Sequence, residues 1–149
     1  MEFKEILLVE DDPRDIELTL VALEEYNLAN KVAVARDGAE ALDYLYHRGQ
    51  YAKRSAYQPV VVLLDLKMPK VDGLEVLRQV KRDPELKAIP IVVLTSSNQD
   101  QDIVESYNLG VNAYVVKPVA FDRFVEVVKQ LSLFWVLTNE PPPHALCSR

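Results

Sequence analysis

Two apolar runs in this sequence end on acids: Val60-Val61-Val62-Leu63-Leu64 leads into Asp65, and Ile6-Leu7-Leu8-Val9 leads into Glu10-Asp11-Asp12. Two others end on Thr95 and on Lys117-Pro118. If the runs are strands of one parallel sheet, their carboxyl ends share a crevice, and carboxylates, a hydroxyl and an ammonium group converge there. Carboxylates held close repel one another and stay ionised only with a cation between them. An all-oxygen set with room for water suits Mg2+. Asp11 and Asp65 are the expected direct ligands, with Glu10 acting through water and a backbone carbonyl just after Asp65, at Lys67, completing the protein's share. Lys117 and the hydroxyl of Thr95 suit the oxygens of a phosphoryl group. A carboxylate in such a site can attack phosphorus to give an acyl phosphate, a reaction catalysed mainly by positioning and charge stabilisation. Asp65 is the expected nucleophile. Taken singly, each of these residues reads as an ordinary solvated turn or surface group; two acidic clusters meeting a lysine and a threonine do not.

The elements that must position these groups alternate between strand and helix periods, as in βαβ units around a parallel sheet covered on both faces. Strands are expected at Ile6 to Val9, Lys31 to Ala35, Val60 to Leu64, Ile91 to Leu94 and Ala113 to Val116. Helices are expected from about Asp15 to Tyr26, Ala39 to His47, Gly73 to Arg82, Gln101 to Leu109 and Phe121 to about Leu137. Asp83-Pro84 closes the third helix, since proline disfavours helical geometry in the residue before it, and Gly110 suits a left-handed stop to the fourth. The stretch from Arg48 to Gln58, with three basic residues and two tyrosines, follows neither period and reads as an adaptable surface. Asn139-Glu140-Pro141-Pro142-Pro143 favours polyproline geometry.

Composition narrows the function classes. The 149 residues, 49% hydrophobic, suit one domain with a full core and leave no room for a separate output domain. A net charge of -6 opposes nucleic acid as a partner, because phosphate backbones require a surplus of lysine and arginine. The single cysteine, Cys147, permits no intrachain disulfide and points to a reducing compartment. The acidic start lacks secretory-signal features and no apolar run reaches membrane-spanning length, so a cytoplasmic protein with no membrane partner is expected. His47 and His144 are isolated and read as neither ligands nor phosphodonors.

Glu10-Asp11, the run Asp65-x-x-Met68-Pro69-x-x-Asp72-Gly73, Thr95 and Lys117-Pro118 stand in the order and spacing of two-component response regulator receiver domains, which the chain resembles along nearly its whole length. The resemblance implies an α/β, flavodoxin-like (βα)5 fold over residues 1–138, followed by a Pro-rich tail over 139–149. Its parallel five-stranded sheet would have the order 2-1-3-4-5 with helices on both faces. It further implies Mg2+-dependent phosphotransfer from a sensor histidine kinase to Asp65, and a cis Lys117-Pro118 bond. In the implied switch, Thr95 moves to the phosphoryl group and Tyr114 swings inward, remodelling the surface of the fourth helix, fifth strand and fifth helix. Lys67 and Ser97 correspond to variable positions that flank the phosphoryl group and tune attack by water. Such a protein turns over only itself, as a switch and not an enzyme.

The basic connection from Arg48 to Gln58, together with Phe134-Trp135 and the following Asn139-Glu140-Pro-Pro-Pro, resembles the small regulators that partner bacterial phytochrome histidine kinases. Those are similar in forming homodimers, which here would use Tyr114, Phe124, Val127, Phe134 and Trp135; the alternative is that Phe134 and Trp135 fold back over the chain's own core. Rival readings are a monomeric chemotaxis-type adapter and a phosphate-independent interaction module on the same scaffold. A phosphohydrolase usually needs a second acid where Lys67 stands. A flavin module needs a phosphate-cradling Ser/Thr/Gly run where Glu10-Asp11-Asp12 stands.

Overall fold

A computed structural model of the chain describes residues 5–25, 31–54 and 57–142. Each strand is a short run of apolar residues whose alternate side chains face opposite sides of one sheet, so two cores form. Toward one face point Leu7, Val9, Val62, Leu64, Ile91 and Val93, packed on Ala41, Leu42, Leu45, Val76, Leu77 and Val80. Toward the other point Ile6, Leu8, Val61, Leu63, Val92 and Leu94, packed on Ile16, Ala22, Leu23, Phe124, Val128 and Val136. Burial on both faces explains why these strands read as continuous hydrophobic runs.

The strands are β1 (Ile6–Val9), β2 (Val32–Ala35), β3 (Val61–Leu64), β4 (Ile91–Thr95) and β5 (Ala113–Val116). All neighbouring pairs are parallel, in the order β2-β1-β3-β4-β5. This is the expected flavodoxin-like order, in which the chain reverses direction of travel across the sheet after β2 and leaves a crevice between the ends of β1 and β3. The register places Val9 opposite Leu64 and Thr95 opposite Val116, so the residues that follow each strand emerge at one edge.

The helices are α1 (Pro13–Glu24), α2 (Gly38–Leu45), α3 (Gly73–Arg82), α4 (Asp100–Leu109) and α5 (Phe121–Ser132). Aspartates begin three of them: Asp12 accepts from Arg14 N at 2.9 Å, Asp37 from Glu40 N at 2.8 Å and Asp72 from Glu75 N at 3.0 Å. Such caps satisfy amide donors that the first turn leaves unpaired. The Asp12 cap explains why α1 starts at Pro13, two residues before the expected Asp15; its expected end at Tyr26 lies outside the described residues. Gly73 lets α3 approach the exit of β3, because a Cβ there would stand 2.2 Å from the Asp65 carbonyl oxygen. Gly110 ends α4 at φ 104°, in the left-handed region that glycine tolerates.

Three expectations are corrected. Leu133–Thr138 continues α5 as a π-helical turn, where the sequence period suggested α-helix through Leu137. In an α-helix every fourth residue drifts by about 40°; wider turns hold Val136 on the line of buried Val128 and Ser132. The stretch from Arg48 to Gln58 is also fastened down over its described residues, which exclude 55 and 56. Arg54 Nε donates to Tyr44 O at 2.7 Å, Nη1 to Tyr57 O at 2.9 Å and Nη2 to Gln58 Oε1 at 2.7 Å, while its guanidinium lies 3.9 Å from the Tyr44 ring centre. Gln58, buried, donates to Leu45 O at 3.0 Å. Last, the Lys117-Pro118 bond is trans, the form favoured by about 0.5–1 kcal/mol for an X–Pro bond.

No helix among the described residues is long and apolar enough to cross a membrane. Residues 143–149, which include His144, Cys147 and most of the expected Pro-rich tail, lie outside the described part.

Candidate phosphoryl and metal site

Asp65 leaves β3 with its amide donating to Val9 O at 3.0 Å, and Glu10 leaves β1 with its amide donating to Ala35 O at 2.9 Å. These ladder bonds carry both acids to the same edge, where Asp11 joins them. Carboxylate oxygens of Glu10, Asp11 and Asp65 lie within 4.8 Å of one another. Glu10 and Asp65 are buried and Asp11 is exposed, so the cluster opens toward water on one side only. Asp65 Oδ1 is buried with no hydrogen-bond partner in the protein. A buried carboxylate oxygen left bare is costly and is explained where a ligand completes it. The donor set fits a hard divalent cation, which would neutralise part of the excess negative charge.

Lys117 follows β5, its amide donating to Thr95 O at 2.7 Å. Its ammonium, almost fully buried, donates to Glu10 Oε1 at 2.6 Å and to Asp15 Oδ2 at 2.8 Å, and stands 3.8 Å from Asp65 Oδ2. Sequence reasoning missed Asp15, which lies in the first turn of α1 and reads there as an ordinary helix-start acid. The Lys117 ammonium is held above its usual pKa: burial alone would lower it, and the hydrogen bonds to Asp15 and Glu10 outweigh that.

Burial is the main influence on Glu10 and raises its carboxyl from 4.5 to about 7 despite the adjoining Lys117 ammonium. The folded protein therefore keeps a proton that the unfolded chain releases at about pH 4.5. Its contribution to stability is full below the unfolded value and lost as pH rises through about 7. In buffer free of divalent cations, unfolding free energy is expected to fall by up to about 3 kcal/mol between these limits. Glu10→Gln is expected to flatten that slope in denaturant titrations at a series of pH values.

Thr95 is fully buried at the end of β4, and its Oγ1 accepts from Ser97 N at 3.4 Å. The Tyr114 hydroxyl donates to Ser97 O at 3.0 Å, tying β5 to the loop after β4. The Lys67 ammonium stands 3.5 Å from Asp102 on α4. Of the residues expected at an interface, Phe124 is only 4% exposed and belongs to the core, which leaves it no area for a partner. Tyr114 and Val127 are half-buried, Trp135 packs against the second core, and Phe134 is exposed against the Trp135 ring edge.

The family model described as "Response regulator receiver domain" matches residues 6–129, which span all five strands and the acids, threonine and lysine of the crevice. The chain belongs to this family. Solved structures of response regulators are also similar to it. A crystal structure of the phosphorylated cyanobacterial phytochrome response regulator RcpA is 43% identical, with a TM-score of 0.89 over 95% of this chain and 100% of that one. Response regulator Rcp1 from Synechocystis sp. is 38% identical over 93% of both sequences, and its Mn(2+)-bound structure has a TM-score of 0.88. The bacteriophytochrome response regulator AtBRR is 61% identical, with a TM-score of 0.74 over 94% of this chain and 100% of that one. The receiver is thus a phosphoryl acceptor of two-component signalling, similar to regulators named for phytochromes.

Proposed function

We propose that this receiver takes a phosphoryl group onto Asp65 from the phosphohistidine of a bacterial phytochrome kinase, with Mg2+ held directly by Asp11, Asp65 and the Lys67 carbonyl and through water by Glu10. The observation that carries this reading is the buried, unpartnered Asp65 Oδ1 inside the acidic cluster, on a carboxylate whose other oxygen, Oδ2, stands 3.8 Å from Lys117 Nζ. A carboxylate oxygen of Asp65 forms a bond to phosphorus as the P–N bond to imidazole breaks, and the electron pair leaves on the histidine nitrogen. Bound Mg2+ supplies positive charge to the phosphoryl oxygens. The Lys117 ammonium, 3.8 Å from Asp65 Oδ2, would add a second positive charge, and the Thr95 hydroxyl is the donor nearest the end of β4. Attack by water later returns the carboxylate and inorganic phosphate. The protein then acts as a self-resetting switch in the cytoplasm, without turnover of an outside substrate.

A groove of about 350 Å³ between α1 and the loop before α5 suits the kinase. Its walls include Arg14, Leu18, Pro118 and exposed Phe121, an apolar floor with a charged rim beside Lys117. Relatives named as phytochrome regulators support a light-sensing partner. The test is phosphotransfer from a purified, autophosphorylated bacterial phytochrome kinase measured beside an unrelated histidine kinase. Transfer at least about tenfold faster from the phytochrome supports the pairing, and equal rates remove it.

Asp11→Ala is expected to weaken Mg2+ binding by at least about tenfold in calorimetric titration, since it removes one of three charges from a water-facing ligand set. A homodimer is also proposed, through Tyr114, Val127 and the exposed Phe134 and Leu137 of the π-helical turn. Phe134→Ala is expected to shift sedimentation toward monomer without lowering thermal stability by more than about 1 kcal/mol, because the ring is half exposed.

A further inference from the structure

Helix α4 packs with its polar side inward. Its fully or nearly buried side chains are Asp102 and Ser106, and Ser106 Oγ has no hydrogen-bond partner, while Val104 and Tyr107 face outward with over half of each exposed. An ordinary amphipathic helix is held by the apolar stripe it buries. The N-terminal half of α4 is held instead by polar ties centred on one carboxylate oxygen. Asp102 Oδ2 accepts from Ser97 Oγ at 2.5 Å and stands 3.5 Å from Lys67 Nζ. Lys67 lies two residues beyond Asp65 and Ser97 two residues beyond Thr95, so both of Asp102's partners come from loops that leave the edge where the acidic cluster sits.

We propose that Asp102 is a positioning residue that draws the Lys67 ammonium and the Ser97 hydroxyl away from Asp65 in the resting protein. Arrival of a phosphoryl group on Asp65 takes these donors and releases the first turn of α4. The chemistry is competitive. A phosphoryl group offers three acceptor oxygens and more than one negative charge, whereas Asp102 offers a single charge on a carboxylate. Lys67 is largely exposed and its long stem can swing between the two acceptors. Tyr114 shares the consequence, because its hydroxyl is bonded to the carbonyl of the same Ser97. Coupling of this kind is reciprocal: if occupancy of Asp65 weakens the Asp102 ties, weakening those ties strengthens occupancy of Asp65.

The inference rests on Asp65 as acceptor, and the test separates the two. Equilibrium binding of beryllofluoride, a phosphoryl mimic, is measured with Mg2+ by calorimetry in the wild-type chain, Asp102→Asn, Lys67→Ala and the double variant. Asp102→Asn is expected to bind about fivefold more tightly, and most of that gain is expected to vanish in the Lys67→Ala background. Wild-type binding with an unchanged Asp102→Asn, or a gain that persists in full without Lys67, overturns the positioning role and leaves the acceptor reading standing. No binding by the wild type overturns both. Amide exchange in the wild-type chain needs no substitution: protection over residues 100–103 is expected to fall when beryllofluoride binds, and unchanged or increased protection there contradicts release of the helix.

Discussion

Asp65→Asn is expected to abolish phosphoryl labelling, by at least about a thousandfold in rate, while raising thermal stability in the absence of metal. The first effect follows from removing a nucleophile, the kind of loss that no surrounding group replaces. The amide has nearly the size of the carboxylate, and the backbone that fixes it, with the amide donating to Val9 O and the carbonyl packed against Gly73, is untouched. The second effect follows from electrostatics. Glu10, Asp11 and Asp65 crowd within 4.8 Å, and above about pH 7, where Glu10 is ionised, a neutral residue removes one of three mutually repelling charges. Phosphate-affinity electrophoresis after exposure to acetyl phosphate reads the first, and a melting curve in chelator reads the second. Labelling that survives moves the nucleophile elsewhere; a lowered melting temperature contradicts the charge argument.

Lys117→Met is expected to be costly in both chemistry and stability. Its ammonium is the positive group that faces Glu10, Asp15 and Asp65 together, at 2.6, 2.8 and 3.8 Å. Losing a preorganised charge beside the reacting phosphoryl group is expected to slow labelling about a hundredfold or more. Breaking a buried pair from one side leaves its partner uncompensated, a loss of about 3–5 kcal/mol. That loss is expected near pH 8 and to shrink toward pH 5, because Glu10, already raised to about 7 by burial, rises further without the lysine and takes up a proton. Denaturant unfolding at the two pH values checks the sign. A loss of stability that is independent of pH contradicts the reading of Glu10.

Much of the fold was legible because the three central strands are buried on both faces and three of the helices open at a capping aspartate. Ile6–Val9, Gly73–Arg82 and Ala113–Val116 have the bounds expected from periodicity and punctuation. The converging acids, threonine and lysine were also legible, because a strand end is a fixed address in a parallel sheet. What the sequence concealed are contacts that have no period. Arg54 is one basic residue among several in its connection, and nothing in its neighbours marks it as the group that fastens Tyr44, Tyr57 and Gln58. Asp15 looks like any acid in a first helical turn until Lys117 reaches it across the sheet edge.

Asp102 was concealed differently. Asp102, Ser106 and Leu109 recur at helical spacing, the pattern of a buried stripe, yet two of the three are polar, so a reading that follows hydrophobicity finds no face there. At the chain's end, Phe124 and Phe134 look alike in composition, but the first fills the core and the second lies on the surface of a π-helical turn. Only the packing of α5 on α1 and the sheet distinguishes them.

The most direct measurement is peptide mapping by mass spectrometry after the chain meets acetyl phosphate in Mg2+ and, separately, in chelator. The account predicts one phosphoryl group per chain, labile to acid, base and hydroxylamine as an acyl phosphate must be, on the peptide that carries Asp65, formed with Mg2+ and absent without it. A phosphoryl group on another residue, or equal labelling in chelator, would contradict it.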